Sequence, residues 1–166
     1  NNMGKTWRSL AGDLGERNLV WRMVQDFVKK DLLFAATENG IFTSLNAGQN
    51  WQKMSGTPTI SFRDITIQRE ENDLVAASFG RGFFVLDNYA PLRDFTSENL
   101  NKKATLFAPR TAKWYVPRSN VGNTGADYYF AENPTFGAEF TVHMNGDYKS
   151  LKATRQDAEK KLGANE

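Results

Sequence analysis

Carboxylates come first, because a chain with no cysteine and a single histidine has few other groups able to do acid–base or covalent work. The acidic candidates are Asp26, Asp64, Asp73, Asp87 and Asp94. Two carboxylates held about 5 to 9.5 Å apart across a sugar, one with a raised pKa, can cleave a glycosidic bond. Asp64 is the weak catalytic candidate, since an inward-pointing side chain on its strand could line a channel. The plainer role, a solvent-facing or Arg63-paired carboxylate, is favoured. Asp31 and Asp73 recur at one hairpin position and read as turn residues, and Asp87 reads as a strand-end stabiliser. Arg81 lies between Gly80 and Gly82, which let the backbone turn tightly and push the guanidinium outward. There it could grip a carboxylate through two parallel hydrogen bonds, or brace a neighbouring strand. Trp114, beside Tyr115, could stack on a sugar or close a sheet. Arg81 and Trp114 are therefore the candidate ligand-binding residues.

Other chemistries are excluded or unsupported. Without cysteine there is no disulfide, thiolate nucleophile or thiolate metal site. His143 alone cannot build a metal cluster or a Ser-His-Asp triad. Gly80-Arg81-Gly82 is not a phosphate loop, because no helix follows to supply an N-terminal dipole. No metal and no cofactor are expected. Net charge is +2, from 21 Lys and Arg against 19 Asp and Glu, with no block of one sign. That gives no case for nucleic acid. No apolar run approaches the roughly 18 residues of a membrane helix.

The elements that must position these residues read as β. Hydrophobic residues make up 40% of the chain and aromatics 13%, which argues for a packed core over disorder. Strands are expected at 19–24, 32–37, 41–44 and 51–54, one four-stranded unit. The run Leu32 to Thr37 is apolar enough to be buried on both faces. Asn39-Gly40 predicts a type I′ hairpin, with φ > 0 at both positions. A second unit comes next at an offset of 42, with strands at 62–67, 75–78 and 83–86. In it Asp31 aligns with Asp73, Ala35 with Ala77, Gly40 with Gly82, Phe42 with Phe84 and Asn46 with Asn88.

A shorter repeat runs through the same region. Asn2-Met3-Gly4-Lys5-Thr6-Trp7 and Ser44-Leu45-Asn46-Ala47-Gly48-Gln49-Asn50-Trp51 put both their glycines and their tryptophans 44 residues apart. A period in the low forties suits four-stranded propeller blades. The first copy lacks its leading Ser, so the chain is expected to be a piece of a larger protein. In this turn the Ser hydroxyl and the Asn side chain accept backbone N–H groups. Glycine supplies a left-handed backbone, and the Trp ring is expected to be buried; Trp21 is expected in the core too.

The turn resembles the aspartate box, or BNR repeat, Ser-x-Asp-x-Gly-x-Thr-Trp, through Asn2, Gly4, Trp7, Ser44, Asn46, Gly48 and Trp51. Asn replaces Asp in both copies, which keeps the acceptor but loses the fixed negative charge and weakens any cation-binding role. The stretch Arg63-Asp64-Ile65, Asn72-Asp73-Leu74-Val75, Phe79 to Asn88 and Pro91-Leu92-Arg93 resembles the last propeller blade of large exported bacterial proteins. These are the sortilin-like BNR-repeat proteins labelled glycosyl hydrolases. Leu106 to Arg110 and Glu132 to Ala138 resemble the segment on the C-terminal side of that propeller.

The resemblance implies an all-β fragment of a β-propeller, built of four-stranded antiparallel blades, over residues 1–116. A linker at 117–137 and a truncated module at 138–166, with one strand and a helix near 148–162 capped by Asp147, complete the expected order. It also implies an exported protein, non-catalytic in this stretch, whose surface recognises extracellular glycan or peptide. The rival expectation is a glycoside hydrolase whose site needs further blades; a third is an intracellular propeller scaffold. Exposed strand edges predict self-association.

Overall fold

A computed structural model describes residues 3–112, 114–116, 136–146 and 148–163. Among them the chain is mostly β, with antiparallel sheets of four, three and two strands and two α-helices; no closed barrel or propeller is formed. It divides into two units, residues 1–95 and 96–166. The sequence places residues up to 116 with the blades, whereas this division falls just after Phe95. The linker expected at 117–137 lies almost wholly outside the described residues, as do Asn2 and Asp147.

The first sheet runs β1 (Val20–Gln25), β2 (Leu33–Thr37), β3 (Gly40–Ser44) and β4 (Gln52–Lys53), in that spatial order. Every residue of β2 is buried, as its unbroken apolar run requires. No helix interrupts residues 19–51. The second sheet is β5 (Phe62–Gln68), β6 (Asp73–Ser78) and β7 (Phe83–Leu86). The two pack face to face: Leu32, Phe34, Ala36 and Ile41 meet Phe62, Ile65, Leu74, Ala76 and Tyr89. Edge-to-face ring pairs, Phe34 with Tyr89 at 5.1 Å and Phe62 with Phe84 at 5.2 Å, fill the seam.

Strand register corrects the uniform offset of 42. Met23 pairs with Ala35 and Ala35 with Phe42, while Ile65 pairs with Ala76 and Ala76 with Phe84. Strands β1 and β3 therefore match β5 and β7 at 42, but β2 matches β6 at 41. Leu33-Phe34-Ala35-Ala36-Thr37 corresponds to Leu74-Val75-Ala76-Ala77-Ser78. The Thr37 hydroxyl donates to the Gly40 carbonyl and the Ser78 hydroxyl to that of Gly82, so these hairpin ends are equivalent. The missing residue returns in the turn, which is Glu38-Asn39 in one hairpin and Phe79-Gly80-Arg81 in the other.

Because side chains alternate along a strand, this single residue decides the faces. The inner face of the second sheet, Leu74 and Ala76, corresponds to the outer face of the first, Leu33 and Ala35. The sheets stack head to tail. The outer face of the second sheet then corresponds to the core-forming face of the first, yet Phe83 is 76% exposed where its counterpart Ile41 is 3% exposed.

The Asn39-Gly40 hairpin is not type I′. Positive φ falls on Gly40 (128°) and not on Asn39. The Thr37 hydroxyl takes the Asn39 N–H, fixing the turn without a left-handed asparagine.

In the second unit, α1 (Ser97–Asn101) forms in the polar stretch after β7, capped by the Thr96 hydroxyl, which accepts the Asn99 N–H. Then β8 (Ala104–Leu106) pairs with β9 (Val142–Met144), and α2 (Leu151–Gly163) comes last. No helix of the described residues is long and apolar enough to cross a membrane.

Candidate functional site

Both first strands carry a β-bulge, at Trp21 in β1 and Arg63 in β5, 42 residues apart. A bulge re-aims the side chain it carries. Here the two bulged side chains meet. The Arg63 guanidinium carbon lies 3.7 Å from the centroid of the Trp21 ring and 5.2 Å from that of Phe79. Trp21 is held from below, as its indole N–H donates to Glu38 Oε2 at 2.9 Å. The Ser61 hydroxyl donates to the same oxygen at 3.0 Å. These two bonds, with the charge of Arg63, lower the Glu38 pKa and keep it ionised. Phe79 is anchored by its N–H to the Ser61 carbonyl and leaves 71% of its surface exposed. The result is an aromatic–arginine–aromatic ladder across the seam of the two sheets. Trp21, expected in the core, stands in it 41% exposed.

The candidates named from sequence fall around this ladder unevenly. Asp64 follows Arg63 but pairs with Arg22 at 3.6 Å, both side chains more than half exposed. Arg81 is exposed on the same hairpin turn as Phe79. Trp114 belongs to the second unit, 88% exposed, with its ring edge-on to Phe136 at 5.6 Å. Asp73 accepts the Asn88 N–H at 2.9 Å and so serves the turn. Among the described residues no group of acidic or histidine side chains could hold a metal ion. No family model, curated protein or solved structure matches the chain.

Asp26 is committed elsewhere. It is buried at the end of β1, with the Arg93 guanidinium donating to both carboxylate oxygens at 2.8 and 3.0 Å. The Tyr89 hydroxyl donates to Oδ1 at 2.5 Å, and the Lys29 and Val28 N–H groups donate to Oδ2. Burial alone would raise its pKa. Arg93, the Lys29 N–H and Tyr89 outweigh that and hold it at about 2. Burial and the adjacent Asp26 push the Tyr89 phenol well above its ordinary value. The network fastens the turn after β7 to the first sheet.

The repeated turn behaves as its chemistry demands. Ser44, buried, accepts the Asn46 and Gly48 N–H groups, and Asn46 accepts the Asn50 N–H at 2.9 Å. Met3 and Gly4, with φ of 58° and 79°, repeat the left-handed pair Ala47 and Gly48 at 55° and 82°. The tryptophans differ. Trp51 is half-buried and donates its indole N–H to the Leu10 carbonyl at 2.8 Å, whereas Trp7 is 91% exposed. The expectation that Trp7 is core is thus overturned, because no segment of the described chain lies over it as Leu10 lies over Trp51.

Sequence reasoning missed Asp13. Its carboxylate accepts the Trp51 N–H at 2.6 Å and the Asn50 side-chain amide at 3.0 Å, bonds that lower its pKa. It supplies from another loop the negative charge that Asn46 lacks. The signal was Gly12-Asp13: a Cβ on Gly12 would collide with the carbonyl oxygens of Gly48 and Gln49. That loop also walls a half-open apolar groove of about 500 Å³, lined by Leu10, Leu14, Val20, Met23 and Trp51.

Proposed function

We propose that these sheets are successive blades of a propeller-type stack in an exported BNR, sortilin-like protein. They act as a non-catalytic recognition surface for extracellular glycan. The head-to-tail correspondence of the two sheets supports the stack. The observation that carries the recognition role is the ladder of Trp21, Arg63 and Phe79, an exposed aromatic surface held in place by Glu38 and Ser61. Sugars bind proteins by laying their C–H faces on such rings while charged and hydroxyl groups fix the rim. The acidic side chains weighed for catalysis support the same reading, since Asp26, Asp64 and Asp73 are each engaged in an ion pair or a turn.

Affinity electrophoresis through gels containing soluble polysaccharides tests this. Retardation of the wild-type chain by at least one polysaccharide, lost in Phe79→Ala, is the expected result. Unchanged mobility in every gel would refute it. The outer face of the second sheet, with Phe83 and Val85 exposed, makes self-association of the chain part of the proposal. Sedimentation at increasing concentration should show oligomers that Phe83→Ser reduces.

A further inference from the structure

We infer that the ladder is a carboxylate-binding subsite, and that the glycan it takes is an acidic sugar; this rests on the recognition reading above. Arg63 is the reason. Its guanidinium, with five N–H donors, has its central carbon 3.7 Å from the centroid of the Trp21 ring and 5.2 Å from that of Phe79. Among the described residues none of these donors makes a hydrogen bond. Glu38 is near enough to act on Arg63 by charge, but Oε2 is taken by Trp21 and Ser61. A planar guanidinium resting against two rings has less rotamer freedom to lose, which favours two parallel hydrogen bonds to a carboxylate. Lysine could not replace it.

The surroundings favour a sugar acid over an acidic peptide. Phe79 beside the guanidinium offers an apolar plate for the C–H face of a pyranose ring. The Arg22–Asp64 pair next to it in sequence leaves an exposed carboxylate that hydroxyl groups can donate to. Arg81, on the Phe79 turn, adds a second positive charge. Counting Arg22, Arg63 and Arg81 against Glu38 and Asp64 leaves the region one charge positive, enough to attract one anionic residue.

Calorimetric titration of the full chain with trigalacturonate, with its methyl ester and with a short Glu-rich peptide tests the inference. Trigalacturonate should bind, with its methyl ester weaker by about tenfold or more, as loss of a charge-assisted hydrogen-bond pair implies. Arg63→Gln should erase that preference, and Arg63→Lys should not restore it. Phe79→Ala should weaken acid and ester alike. A far-ultraviolet spectrum and melting curve matching wild type establish that each variant is folded. Equal binding of acid and ester, or an acid preference that survives in Arg63→Gln, overturns the carboxylate subsite. Peptide binding as tight as the sugar acid overturns the sugar. If no trigalacturonate binds while a neutral polysaccharide still retards the chain, the inference fails and glycan recognition stands. If neither occurs, both fail.

Discussion

The turns that leave the third strand of each sheet begin alike and end differently. Ala47 donates its N–H to the Asp31 carbonyl, and Tyr89 donates to that of Asn72, its counterpart one sheet on. After Ala47 the chain closes into the Ser44–Trp51 turn and returns as β4, clamped from outside by Asp13. After Tyr89 it dives inward instead, through a short 3-10 turn at Ala90–Asp94 that sends Arg93 onto Asp26. One solution satisfies the turn with short local hydrogen bonds and an exposed carboxylate. The other uses a buried ion pair reaching back 67 residues. The first is modular and the second ties two sheets together, so the two should respond to mutation very differently.

Asp26→Ala should show the largest effect. It strands the Arg93 guanidinium and the Tyr89 hydroxyl, and removing one partner of a buried pair costs about 3–5 kcal/mol, readable from urea melts. The same pair sets an acid limit. The Asp26 carboxyl, at about 2 in the fold against an ordinary 3.8, is depressed. Its contribution is therefore full above the ordinary value and lost as pH falls from about 4 through 2. Melting temperatures of wild type should drop across that window more steeply than those of Asp26→Ala.

The local turn should give smaller losses. Gly12→Ala places a Cβ against two backbone carbonyls at a φ of +48°, costing about 2 kcal/mol. Its effect should vanish in a chain where Asp13→Ala has already released the clamp, since coupled residues are not additive. The smallest contrast lies between the repeated tryptophans. Trp51→Ala should cost about 2 kcal/mol, and Trp7→Ala less than about 0.5 kcal/mol. Equal losses would mean that Trp7 is covered as Trp51 is.

Strands were legible in the sequence because apolar runs such as Leu32–Thr37 are burial patterns, and burial is what forms them. The repeat was legible through Gly48 and Trp51 for the same kind of reason, a backbone need and a ring to place. The face each strand presents was not. Ala35 aligns as well with Ala77 as with Ala76, and only cross-strand hydrogen bonds distinguish an offset of 41 from one of 42. The ladder was hidden likewise, since Trp21 and Arg63 meet only because two bulges fall 42 residues apart. Asp64 and Arg81 drew notice as isolated charges, yet the residues that assemble are their neighbours, Arg63 and Phe79. Asp13 escaped because its partners, the Trp51 N–H and the Asn50 side-chain amide, lie on a distant turn, and Gly12 beside it marks a close approach without saying to what.

The head-to-tail stacking of the two sheets rests on the register of β6, which lies one residue out of step with β2 and is made up for in the Phe79-Gly80-Arg81 turn. Equilibrium urea unfolding of two deletions weighs it directly. Removing Arg81 should leave a two-residue turn like Glu38-Asn39, with stability within about 1 kcal/mol of wild type. Removing Ala77 should throw Leu74 and Val75 onto the wrong faces of β6 and abolish the cooperative transition. Equal losses from both deletions, or a cooperative fold surviving without Ala77, would contradict the stack and the ladder that depends on it.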